Sequence, residues 1–162
     1  MMKYVLLLVT AITLAGFTVD RLYASESCIM CSMDARKSDT KIVIQVKKGT
    51  KGMPKGTYSL CSLHCLFVLQ KHLPPDDIQH IMIRDYATVS GDYDSGDMID
   101  ATKAYYLVKS SLRPKGSMPP FVTAFSTIAV AEDFKRTYGG KIMAWKEIKA
   151  YMKDQDAGHA HN

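Results

Sequence analysis

Residues 41–65, KIVIQVKKGTKGMPKGTYSLCSLHC, decide the fold. Ile42, Ile44 and Val46 alternate with Val43, Gln45 and Lys47, the period-two spacing of a half-buried strand. GTKGMPKGT (49–57) holds three glycines and a proline and reads as a turn. Thr57–Leu60 returns as a second strand. From Ser62, the apolar residues Leu63, Leu66, Phe67 and Leu69 recur at helical spacing until Pro74-Pro75 ends the helix near Leu73. HIMIRDYAT (80–88) reads as a third strand, so the order is β-β-α-β.

The order then repeats. VSGDYDSGDM (89–98) is a polar connection and ATKAYYLVKSS (101–111) a strand. RPKGSMPP (113–120) is a loop and FVTAFS (121–126) another strand. TIAVAEDFKRTYGG (127–140) is an amphipathic helix, with Thr127 as its cap and Gly139 as its stop. KIMAW (141–145) is a strand and KEIKAYMKD (146–154) a final helix. Two tandem ββαβ units, over 25–88 and 89–155, make an α+β fold. Residues 156–162, which include His159 and His161, read as a disordered tail.

Residues 1–24 are set apart from this fold. Lys3 precedes an apolar run of 15 residues, VLLLVTAITLAGFTV (5–19). That is the length of a signal-peptide core and short of the ~20 that cross a bilayer. Small residues around Ala24 suit a signal peptidase. The expectation is export to a periplasmic or extracellular location, with an uncleaved N-terminal membrane tether as the alternative. Phe17 stands in LAGF where a lipoprotein signal needs cysteine.

The chain has 162 residues, 47% hydrophobic and 23% charged, enough for a packed core. Its net charge is +5, and loss of Lys3, Arg21 and Asp20 with the leader leaves about +4. The cations are scattered, which argues against nucleic acid as a partner. Lys41, Lys47, Lys48, Lys51 and Lys55 read as solvated strand edges and a loop. Asp76, Asp77, Asp92, Asp94 and Asp97 fall in turns. No serine-nucleophile or phosphate-loop signature appears, so an enzyme is not expected.

The four cysteines form two tight pairs, in CIMCSM (28–33) and YSLCSLHC (58–65). Cys28-x-x-Cys31 fits a disulfide, a redox dithiol or half a metal site. A redox dithiol usually opens a helix after a strand, and no strand precedes Cys28. The thioethers of Met30 and Met33 beside it are soft donors that suit Cu(I). Cys61 and Cys65, spaced i and i+4, lie on one helical face with His64 one residue off it. Four thiolates equally suit Zn²⁺. Met118, in GSMPP, is an apolar side chain in a loop; Met98, in GDMID, is a weaker candidate of the same kind, and Met53 looks incidental. As helical neighbours Cys61 and Cys65 are poorly placed for a disulfide. Cys28 and Cys31 in a short loop bridge more easily, so copper uptake should require that bridge to be reduced.

CIMCSM, YSLCSLHC, IRDYAT, GDMIDATKAYYLV, GSMPPFVTAF and AEDFKRTYGGKIMAW together resemble the NosL family, accessory proteins of nitrous oxide reductase. The resemblance runs from about Cys28 to about Ile148. It implies an exported Cu(I) chaperone that hands copper to a client cuproenzyme such as nitrous oxide reductase, working with a membrane ABC-type partner. Cys31 and Met33 match the family's Cys-Gly-Met element, with Ser32 where glycine is usual, and Met118 matches its Gly-Ser-Met element. The candidate metal ligands are therefore Cys28, Cys31, Met33, Cys61, His64, Cys65, Met98 and Met118. A chaperone must release its metal, so a mixed thiolate–thioether site is expected over a closed Cys₄ cage. A structural zinc-binding interaction module and a thiol-disulfide oxidoreductase using Cys28 and Cys31 are the alternatives.

Overall fold

The computed structural model describes residues 26–50, 52–91 and 93–159. The segment 1–24 expected to direct export lies outside the described residues, as does His161. No described helix is long and apolar enough to cross a membrane.

Two ββαβ units are present. In the first, β1 (Ile42–Thr50) and β2 (Met53–Leu60) pair antiparallel with Ile42 opposite Leu60. The helix α1 (Leu63–Gln70) and β3 (Ile78–Arg84) follow, and β4 (Met98–Asp100), from the stretch expected to belong to the second unit, pairs antiparallel with β3 and so extends the first sheet. The sheet order is β2-β1-β3-β4. In the second unit β5 (Tyr105–Val108) lies between β6 (Val122–Phe125) and β7 (Lys141–Met143). The helices α2 (Ile128–Tyr138) and α3 (Trp145–His159) complete it, and α3 runs through residues 156–159, which were expected to lie in a disordered tail.

Local chemistry explains these bounds. Ile42, Ile44 and Val46 are wholly buried on one face of β1, as their alternation requires. The turn expected over 49–57 is tighter, and β2 begins at Met53. Pro54 is tolerated because β2 is an edge strand that need not donate outward. Gly49, at φ +75°, makes the register shift between the two strands; a Cβ there would lie 2.5 Å from the Met53 carbonyl oxygen. Met53, which looked incidental, is buried in the core.

The helix α1 is apolar almost all round and sits inside the protein: Leu63, Cys65, Leu66, Phe67 and Leu69 are buried. The third strand stops at Arg84 because Asp85 caps a 3₁₀ turn over Tyr86–Thr88, its Oδ1 accepting the Ala87 N–H at 3.1 Å. Its other oxygen accepts the Ser126 N–H, and Asp85 bridges to Ala124, so this carboxylate joins the two sheets. In α2, Thr127 accepts the Val130 N–H, and Gly139 at φ +69° ends the helix.

One main core spans both units. It runs from Ile42, Leu60 and Leu66 to Tyr106, Val122, Ile148 and Met152. Trp145 at the start of α3 lies 6.3 Å from Phe67 and 5.9 Å from Tyr106, ring to ring, tying α1 to the second sheet. Each fully buried Leu or Ile here contributes roughly 1.5–3 kcal/mol.

Lys41, expected to be solvated, is buried. Its Nζ lies 2.5 Å from Asp94 Oδ1, and the buried Arg84 Nη2 donates to the same oxygen at 2.6 Å. Arg84 Nη1 also donates to the Ser38 carbonyl at 2.6 Å. Asp94 thus folds the acidic connection back onto the first unit. Partial burial pushes its carboxyl upward, but Lys41 and Arg84 outweigh that and hold it below the usual carboxylate value. A lowered folded-state value stabilises the protein above the ordinary carboxylate range. That stability is lost as pH falls through the lowered value. Asp94→Asn should therefore cost about 1 kcal/mol at neutral pH, the carboxylate being half-exposed and screened. In urea titrations the gap to the parent chain should close as the pH drops below the ordinary Asp range. A gap that persists in acid would exclude this ionic origin.

Candidate metal centre

The site assembles where β2 meets α1. Cys28 bridges in parallel to Ser59, and the Ile29 N–H donates to the Ser59 carbonyl at 3.1 Å. The loop 28–33 is closed by the Cys28 N–H on the Met33 carbonyl at 2.7 Å and by the Ser32 N–H on the Cys28 carbonyl at 2.8 Å. Ser32 has φ +62°, the left-handed region where glycine is favoured.

Cys61 directly follows β2, and Cys65 lies in the first turn of α1. Cys61 is not on the helix, because Ser62 is extended at φ −161° and ψ 168° and the helix starts at Leu63. The four Sγ atoms nevertheless converge within 4.8 Å of one another. Cys61 Sγ is 3.4 Å from Cys65 Sγ and 3.5 Å from Cys31 Sγ, and Cys31 to Cys65 is 3.9 Å. Thiolates bound at ~2.3 Å in a tetrahedron lie about 3.8 Å apart, so these separations suit one soft metal ion. All four cysteines are free; three are buried and Cys31 is half-buried.

Their protons are unequally held. Donation by the Cys61 thiol, then by the Cys65 thiol, pulls Cys28 far below its ordinary value despite burial, helped by the backbone N–H groups of Cys31 and Cys61. Cys61 is pushed up, first by its bond to Cys28. Cys65 is pushed up to about 12, first by its bond to Cys28. Cys28 is thus pulled down while its neighbours Cys61 and Cys65 are pushed up. A metal ion replaces thiol protons and takes up the charge.

The remaining candidates sit as follows. His64 is half-buried on α1 and does not join the four-sulfur group; among the described residues no histidine or carboxylate does. Met33, the last residue of the loop 28–33, is exposed, and Met98 sits in β4 opposite Arg84. Met118 is not a free loop residue: it packs, with Met30 and Cys31, against the core cluster that contains Cys28, Cys61 and Cys65. Sequence reasoning missed Ser38 and Thr40. Both are buried and both donate hydroxyls to the Cys61 carbonyl, at 2.5 and 2.8 Å. In RKSDTK nothing distinguishes them from ordinary loop polarity.

The NosL family model matches residues 18–153. The chain is a member of the NosL family. A 68-residue stretch, 42% of the chain, is 34% identical to the copper-binding lipoprotein NosL of Stutzerimonas stutzeri, and it spans 35% of that relative's length. The crystal structure of the copper chaperone NosL from Shewanella denitrificans superposes with a TM-score of 0.59 at 22% identity, covering 78% of this chain and 91% of that one. At that identity the match speaks to the shared fold. The two ββαβ units of this NosL-family chain are thus the architecture of a solved family member.

Proposed function

We propose that this chain binds Cu(I) as cargo at a mixed site drawn from Cys28, Cys31, Cys61 and Cys65 and the thioethers of Met118 and Met33, only some of these sulfurs holding the ion at once, and passes it to a client cuproenzyme. The convergence of four sulfurs from two distant segments carries this reading. Sulfur donors select Cu(I) over harder ions. The relatives' names, a copper-binding lipoprotein and a copper chaperone, support it. Nitrous oxide reductase is the proposed client and a membrane ABC-type protein the proposed partner. The proposed location is outside the cytoplasm, with residues 1–24 as leader or tether. The role is that of a carrier, not a catalyst.

Competition settles the metal. The reduced chain is titrated with Cu(I) against bathocuproine disulfonate and with Zn²⁺ against a zinc chelator. Retention of about one equivalent of Cu(I), with Zn²⁺ surrendered, is expected for a soft sulfur site. Tightly held Zn²⁺ with Cu(I) surrendered would instead establish a structural zinc module. Met118→Leu tests the thioether: it keeps the apolar volume, so stability should change by less than about 1.5 kcal/mol while Cu(I) affinity falls. Unchanged affinity would reduce Met118 to packing.

A further inference from the structure

The sulfur atoms do not hold themselves in place. The Cys61 carbonyl lies outside the ladder of α1, whose first such bond runs from Leu66 N–H to the Ser62 carbonyl. It accepts instead from Ser38 Oγ at 2.5 Å and Thr40 Oγ1 at 2.8 Å, which fills both of its lone pairs. The two hydroxyls are 3.2 Å apart, and the Thr40 N–H donates to Ser38 Oγ at 3.1 Å, so they form one buried unit. Between them, Asp39 is tied to the loop that carries Met118. Its N–H donates to the Lys115 carbonyl at 3.0 Å, and its Oδ2 accepts the Lys115 N–H at 2.8 Å. Gly116 rests against Ser38 so closely that a Cβ would lie 2.9 Å from the Ser38 Cα. Arg84 grips the Ser38 carbonyl from behind.

We propose that Ser38–Asp39–Thr40 is a bracket that sets the two sides of the metal centre, Cys61 and the Met118 loop, in register. Thr40 and Asp39 are its positioning residues. The bracket rests on the proposed copper reading for its purpose, but not for its geometry. Outer groups that orient a metal's ligands are typically worth 10–100-fold in affinity.

The test uses Thr40→Val, which keeps shape and removes the hydroxyl, and Thr40→Ser, which keeps the hydroxyl. Thr40→Val should weaken Cu(I) binding about tenfold and shift the thiolate-to-Cu(I) charge-transfer absorption, while Thr40→Ser restores both. Asp39→Ala should weaken Cu(I) binding in the parent chain, and this loss should vanish in a Met118→Ala background. In the metal-free protein, Thr40→Val should speed iodoacetamide alkylation of Cys61, and Thr40→Ser should not. This last readout stands even if the parent chain binds no Cu(I), so failure of the copper reading and failure of the bracket are separable. Parental affinity and Cys61 protection in folded Thr40→Val would overturn the bracket. So would a Thr40→Ser variant as impaired as Thr40→Val, or an Asp39→Ala loss undiminished without Met118. Should Thr40→Val not fold, the Asp39→Ala cycle decides alone.

Discussion

Cys61→Ser should cost the chain its hold on Cu(I) by more than the roughly 10–100-fold that loss of an outer-shell group costs. Cys61 is the hub of the cluster. Its sulfur lies 3.4 Å from that of Cys65, 3.5 Å from that of Cys31 and within 4.8 Å of that of Cys28. A hydroxyl fills almost the same space but is a hard, weakly binding donor. The fold should survive, because Ile42, Leu60, Leu66 and Tyr106 carry the core without the sulfurs. Chelator competition reads the affinity and urea melting of the metal-free protein reads the fold. Parental copper retention by Cys61→Ser would remove Cys61 from the site. A variant that fails to melt cooperatively would give the cysteine a structural role instead.

The repeat of β-β-α-β was legible because alternation and helical spacing are local signals. Ile42, Ile44 and Val46 announce β1 by their period, and Thr127 and Gly139 announce the ends of α2 by their chemistry. Other bounds depended on groups far along the chain. The early end of β3 depends on Asp85, which reads as one more strand residue until its carboxylate is seen capping a turn and holding Ser126. The short β4 over Met98–Asp100 is a strand only because β3 offers it an edge. Lys41 looked solvated because its partner, Asp94, is 53 residues away in an acidic stretch that read as turns.

The metal centre shows the same division. Two cysteine pairs and two methionines beside the first are visible as a soft-donor pattern, and the four cysteine sulfurs do meet. Which face each donor presents was not visible. The spacing of Cys61 and Cys65 suggested a shared helical face, yet the extended Ser62 puts Cys61 ahead of the helix. Met118 looked like a loose loop side chain because the packing that half-buries it comes from elsewhere in the chain. Hydroxyls such as Ser38 and Thr40 have no spacing rule, and only tertiary contact distinguishes them.

Oxidation should switch the site off. Treated with oxidised glutathione, the metal-free chain should take up no Cu(I), and a reductant should restore full uptake. Cys31, the half-buried member, attacks the external disulfide first, releasing one glutathione and leaving the other on its sulfur. A second cysteine then displaces that glutathione. The net change is two thiols oxidised to one disulfide and the glutathione disulfide reduced to two thiols. Cys28 is the expected second partner. It shares the loop of Cys31 and lies within 4.8 Å of it, and its thiol is pulled down where those of Cys61 and Cys65 are pushed up. Cys61, 3.5 Å from Cys31, is the competitor. Alkylation of the remaining thiols before digestion, followed by mass spectrometry, maps the first bridge. A Cys28–Cys31 bridge with Cys61 and Cys65 alkylated is expected. A Cys61–Cys65 bridge with Cys31 free, or undiminished copper uptake by the oxidised chain, would refute this order.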